Sequence, residues 1–105
     1  MSFEFDPKKA ATNLRKHGVA FAEVEPVFYD NLALTQADGG THRELRFVTV
    51  RMDALGRVLA ACWTERDDLN GYVIRLISAR LATTHERKLY ENWIWYEPSQ
   101  AWCGD

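Results

Sequence analysis

A few side chains in this chain could act on a phosphodiester. His17 follows Lys16 and precedes Gly18, so a titratable imidazole lies beside a fixed cation. Arg80 closes the largely apolar run from Ile74 to Ala79. Its guanidinium stays charged at physiological pH and offers a rigid fork of donors suited to phosphate oxygens. Cleaving such a link without a metal needs a base for the attacking hydroxyl, cations for the charge that builds on the phosphorane, and an acid for the leaving oxygen. His17 fits proton transfer, because an unperturbed imidazole titrates near neutrality. Arg80, Arg46 and Arg66 fit charge stabilisation. Glu65 fits a general base where desolvation lifts its pKa. Lys9, Lys16 and Arg87 fit phosphate positioning, which sets affinity rather than base choice.

Each residue also has a plainer reading. His17 could close a helix by bonding a terminal carbonyl. Lys16 suits the last turn of that helix, where the dipole favours positive charge. Lys8 and Lys9 could be a solvated face. The arginines could pair with surface carboxylates such as Glu44, Glu65 or Asp67, although exposed pairs contribute only about 0–1 kcal/mol. Arg75, flanked by Val73 and Ile77, reads as structural, its stem packed and its head turned outward. His42 reads as a solvated turn residue. His85 falls in a first helical turn, where the dipole disfavours its charged form.

The elements that must position these groups follow from pattern. Phe3 to Phe5 reads as a short strand. Asp6-Pro7 opens a helix, as cap and first-turn proline, and Gly18 closes it. Ala10, Ala11 and Leu14 are its expected buried stripe. A second helix is expected from Val19 to Tyr29, kinked or shortened by Pro26. Four strands follow, at Asn31 to Ala37, Glu44 to Met52, Val58 to Glu65 and Tyr72 to Arg80, joined by links short enough for antiparallel neighbours. Thr83 and Glu86 have the spacing of a capping box that starts a third helix. Leu89, Tyr90, Trp93 and Tyr96 are its sheet-facing side, Trp95 points toward a partner, and Pro98 ends it. The fold class is α+β: an antiparallel meander sheet with two N-terminal helices and one C-terminal helix.

With 105 residues, one domain is expected, its core at about 3–96 and an aromatic tail at 97–105. The formal net charge of −2 does not announce a nucleic-acid binder. Basic residues nevertheless cluster at Lys8, Lys9, Arg15, Lys16 and His17, and again at Arg75, Arg80, Arg87 and Lys88. Cys62 and Cys103 lack partners at zinc-ligand spacing, so neither metal nor cofactor is expected. They read as reduced thiols. No apolar run reaches the roughly 20 residues of a bilayer span, and the first residues are not a signal peptide. A cytoplasmic location without membrane association is the expectation.

Phe3-Glu4-Phe5-Asp6, Lys9, Asn13, Lys16-His17-Gly18 and Phe21 resemble the opening of the BrnT toxin family. Trp63-Thr64-Glu65-Arg66 resembles its aromatic-Thr-Glu-Arg strand end. Arg75, Ile77-Ser78-Ala79-Arg80, Ala82-Thr83 and Glu86-Arg87 resemble its C-terminal signature. The resemblance implies a RelE-like fold, ribonuclease activity in a type II toxin–antitoxin system, and a BrnA-like partner with a ribbon-helix-helix domain. It further implies a heterotetramer that represses its own operon by binding operator DNA through the antitoxin. Three features depart from the family: Ala20 stands where a Ser cap is usual, Pro26 interrupts the second helix, and the aromatic tail after Glu91 has no counterpart. The alternative is a toxin-like subunit without catalysis that serves as co-repressor, or a protein-interaction domain.

Overall fold

Asp6 and Pro7 begin the first helix as their types dictate. In the computed structural model the Asp6 carboxylate accepts the Lys8 N–H at 2.9 Å, and α1 runs Pro7–His17. Gly18 ends it in the left-handed region, with φ 70°, and donates its N–H to the Leu14 carbonyl at 2.9 Å. The structure describes residues 2–29, 32–38, 45–69 and 71–95.

The second helix is shorter than its expected span. α2 covers Phe21–Val24, and a 3-10 helix continues from Glu25–Tyr29. Pro26 lacks the N–H that an α-helix would use there. Ala20 provides no side-chain cap; instead Glu23 Oε1 accepts the Ala20 N–H at 3.0 Å. Arg57 ties this region to the sheet, donating to Glu23 Oε2 at 2.7 Å and to Asp53 Oδ2 at 2.8 Å.

The strands are β1 Ser2–Glu4, β2 Leu34–Asp38, β3 Arg46–Met52, β4 Val58–Asp68 and β5 Gly71–Leu81. They form one sheet in the order β1-β5-β4-β3-β2. β2 to β5 are the expected antiparallel meander. β1 corrects that expectation, because it pairs parallel with β5 and makes the sheet mixed. The short-link logic that fixes the meander says nothing about a strand separated from its partner by most of the chain. α3 spans Thr84–Trp95. Its capping box forms as the spacing requires: Glu86 N–H donates to Thr83 Oγ1 at 3.1 Å, and Glu86 Oε1 accepts the Thr83 N–H at 2.9 Å.

Each sheet face carries its own apolar cluster. On one, Leu59, Ala61, Trp63, Ile74, Leu76 and Ala79 pack under Val19, Phe21, Val24 and Val27. Trp63 stacks on Phe47 at 4.6 Å, and its buried indole N–H donates to Thr49 Oγ1 at 2.8 Å. On the other face, Leu34, Val50, Val58 and Ala60 pack with Tyr90 of α3, and Leu89 lies against them. Tyr90 is further held by a 2.5 Å hydrogen bond from Arg51.

The stripe expected on α1 is not the buried one. Ala10 is half-buried, but Ala11 and Leu14 are exposed, and Asn13 is the buried position at 6 % exposure. The Trp93 and Trp95 side chains, together with Glu44, Tyr96, Pro98 and the tail with Cys103, lie outside the described residues.

Candidate functional site

Beyond the end of β1, no strand among the described residues lies beside the β5 edge, and α1 lies there instead. Asn13 makes the join. Its Nδ2 donates to the Ala79 carbonyl at 2.7 Å and to the Val19 carbonyl at 3.0 Å, and its Oδ1 accepts the Ala79 N–H at 3.1 Å. A side-chain amide carries its donor and its acceptor on separate atoms, so it can bond both the N–H and the carbonyl of one strand residue. The seam leaves a groove of about 290 Å³ lined by Lys8, Lys9, Thr12, Asn13, Lys16, His17, Ile77 and Ser78. Lys9, Lys16 and His17, singled out by type, thus share one cationic groove. Lys9, Thr12, Asn13 and Lys16 recur at helical spacing on one side of α1.

The arginines gather on the sheet face that carries α3. Paired residues of neighbouring strands point to the same side. Arg46 stands opposite Thr64, Thr64 opposite Arg75, and Arg75 opposite Glu4. Arg66 lies two residues beyond Thr64, on that same face. A second row runs Val48, Cys62, Ser78, and a third Val50, Ala60, Arg80. Rows lie about 7 Å apart along the strands. Val48, Val50 and Ala60 identify the face, because all three pack in the α3 cluster.

Arg75 and Arg80 owe their common face to an irregularity. Five positions separate them, an odd interval that puts two residues on opposite faces of a regular strand. The pairing shifts between Cys62 and Trp63, whose partners are Ser78 and Leu76, so Ile77 is an extra residue in β5. The bulge restores Arg80 to the side of Arg75. It also replaces Ile77 with Ser78 as the inner same-face neighbour of Arg75.

Carboxylates order these cations. Glu4 takes Nε and Nη2 of Arg66 at 2.9–3.0 Å, and Arg75 approaches the same carboxylate at 3.4 Å. Glu86 receives Arg80 Nη1 at 2.7 Å and Nη2 at 2.9 Å, fork to fork, with the two side chains 17 % and 31 % exposed. Hydrogen bonds from Arg80 hold the Glu86 carboxyl below its ordinary range. They outweigh burial, and the Thr83 backbone adds to them. Thr64 donates to the Leu45 carbonyl at 2.7 Å beside Arg46.

Glu65 is placed apart from the arginines. Its register partner Ile74 lies in the cluster under Phe21 and Val24, on the opposite sheet face, and its carboxylate accepts the Tyr72 hydroxyl. Burial first, and then Glu65, push the Tyr72 phenol up to about 12. Arg87 and His85 are exposed on α3, and His42 lies outside the described residues. Three residues with a part in this geometry were given no role in the site by their types alone: Asn13, Glu4 and Ser78. A polar residue at a helix position otherwise suited to burial was the available signal for Asn13. Glu4 and Ser78 gave none, because their placement depends on strand pairing and on the bulge. Among the described residues, no three His, Cys, Asp or Glu side chains form a group able to hold a metal ion. No described helix is long and apolar enough to cross a membrane.

A family model described as "Ribonuclease toxin, BrnT, of type II toxin-antitoxin system" matches residues 5–86. The match ends at the carboxylate that holds Arg80. No curated protein matches the chain. Among solved structures it is similar to the Brucella abortus ribonuclease toxin BrnT, with 21 % identity and a TM-score of 0.58. The alignment covers 80 % of this chain and 99 % of that one. At that identity the likeness bears on the fold.

Proposed function

The chain belongs to the BrnT family of ribonuclease toxins of type II toxin–antitoxin systems, and from that premise we propose that it is an endoribonuclease that cuts RNA without a metal ion. The observation that carries the proposal is the contact between two cationic surfaces. The groove of Lys9, Lys16 and His17 meets the arginine face at Ser78.

In this scheme RNA lies along the groove, its phosphates held by Lys9 and Lys16, with Arg87 adding charge from α3. The 2′-oxygen attacks the adjacent phosphorus and the bond to the 5′-oxygen breaks. The proton of the 2′-hydroxyl passes to the His17 imidazole, and the imidazolium returns a proton to the leaving oxygen. The products are a 2′,3′-cyclic phosphate and a free 5′-hydroxyl. Arg46, Arg66 and Arg80 cannot act as bases, since a guanidinium keeps its protons at any physiological pH. They stabilise the charge on the phosphorane. Glu65, on the far sheet face, takes no part.

A BrnA-like antitoxin with a ribbon-helix-helix domain silences the toxin in a cytoplasmic heterotetramer, which binds operator DNA through the antitoxin. Type II systems pair a toxin with a protein antitoxin, which supports the general form of this arrangement.

One observation favours a second reading. Glu4 and Glu86 already hold Arg66, Arg75 and Arg80. A toxin-like subunit with such neutralised cations would serve as a co-repressor without cutting RNA. Expression in cells separates the two. A ribonuclease arrests growth and depletes RNA, with relief by His17→Ala, by Arg46→Ala or by the antitoxin. A co-repressor does neither. Purified protein is expected to cleave equally well in EDTA; loss of cleavage on chelation would refute the metal-free scheme.

A further inference from the structure

Ser78 is half-buried and belongs to both cationic surfaces. It lines the groove with Lys9, Lys16 and His17, and it stands in register with Cys62 on the arginine face. In a regular strand Ser78 would share a side with Leu76, which is 1 % exposed in the opposite core. The extra residue at Ile77 turns it to the side of Arg75 and Arg80. Bulges re-aim side chains in this way next to active sites. Among the described residues, none takes a hydrogen bond from the Ser78 hydroxyl.

We infer that Ser78 is a substrate-binding residue of the nuclease centre, its hydroxyl donating to a non-bridging oxygen of the scissile phosphate. The inference rests on the ribonuclease reading above. A hydroxyl rotor can follow the phosphate oxygen as the geometry at phosphorus changes. A hydrogen bond to a charged acceptor is stronger than a neutral one. Serine is also small enough to leave the junction between groove and sheet face open, so both surfaces reach one phosphate.

The test uses the whole chain, wild type and Ser78→Ala, with two readouts. The first is cleavage of a single-stranded RNA oligonucleotide. The second is affinity for the same oligonucleotide carrying 2′-O-methyl groups, which cannot be cut because the nucleophile is blocked. Ser78→Ala is expected to lower kcat/KM about tenfold and to weaken binding of the blocked RNA severalfold, with an unchanged Tm. Ser78→Thr keeps the hydroxyl and is expected to retain both properties. Ser78→Asp puts a negative charge at the junction and is expected to abolish both. Wild-type rate and affinity in Ser78→Ala overturn the inference and leave the ribonuclease reading standing. A wild-type chain that binds the blocked RNA without cutting its unblocked form overturns the ribonuclease reading, while the affinity of Ser78→Ala still decides the contact. A wild-type chain that neither binds nor cuts overturns both.

Discussion

Asn13 and Ala79 lie 66 residues apart and exchange two hydrogen bonds, amide to backbone in both directions. The helix that carries His17 is thereby fixed to the strand that carries Arg80. Asn13→Leu supplies apolar surface but leaves the Ala79 N–H and carbonyl and the Val19 carbonyl without their partner. The expected cost is about 2–4 kcal/mol, since each buried unsatisfied group costs on the order of 1–3 kcal/mol. Urea unfolding measures it. Stability equal to wild type in Asn13→Leu would show that the amide is not what docks α1.

Glu86 gives the protein a pH dependence of definite sign. Its carboxyl titrates below the ordinary 4.5 in the folded state, chiefly through the hydrogen bonds from Arg80. The folded state therefore binds fewer protons than the unfolded state in that range. The stabilisation is complete above about pH 4.5 and disappears as pH falls through the depressed folded value. Asp53 acts in the same direction, where the hydrogen bonds and charge of Arg57 overcome the upward push of burial. Glu86→Gln is expected to lose about 1–2 kcal/mol at neutral pH. Its stability should then decline less steeply under acid than that of wild type. Unfolding curves at pH 7, 4.5 and 3 on both proteins decide the matter, and parallel declines would remove Glu86 as the cause.

The proton-transfer role proposed for His17 separates it from the cations around it. His17→Ala is expected to lower kcat about 10²–10⁴-fold and to leave the affinity for 2′-O-methyl RNA nearly intact. Arg46→Ala is expected to lower kcat about 10²–10³-fold. Analysis of the cut ends should find a 2′,3′-cyclic phosphate; a 5′-phosphate product would rule out attack by the neighbouring 2′-oxygen.

The phosphate-holding role proposed for Lys9 and Lys16 makes a different prediction, because phosphate contacts reveal themselves through salt. Each Lys→Ala substitution is expected to reduce the slope of log affinity against log salt by about 0.7 for single-stranded RNA. Titrations at several potassium chloride concentrations measure that slope. An unaltered slope in both variants would place the RNA elsewhere.

Glu65 and Tyr72 supply a control on the opposite sheet face. The Tyr72 phenol is raised to about 12, first by burial and then by Glu65. A raised folded value means stabilisation that is complete below the ordinary 10.0 and is lost as pH climbs toward 12. Glu65→Gln is expected to lower the alkaline midpoint of Tyr72 in an ultraviolet titration and to leave RNA cleavage at pH 7 unchanged. A cleavage defect in Glu65→Gln would bring Glu65 back as a general base.

Local chemistry made much of the fold legible. Asp6, Pro7 and Gly18 bounded α1, Thr83 and Glu86 began α3, and short turns ordered the meander. Each signal acts over a few residues. The parallel pairing of β1 was not legible, because it joins Phe3 to Ile74 and no local pattern encodes such a partner. The arginines were legible as types. Their common face was not, because strict alternation assigns Arg75 and Arg80 to opposite sides until the residue added at Ile77 is counted. Alanine and leucine spacing suggested an apolar stripe on α1, while the packing contact proved to be polar, through Asn13.

The docking of α1 on β5 also has a meaning for synthesis. The first helix leaves the ribosome early, but the strand against which it closes is made near the end. Until that strand emerges, the nascent polypeptide has neither the groove beside α1 nor the row that sets Arg75 and Arg80 on one face, since β5 supplies a wall of the first and the whole of the second.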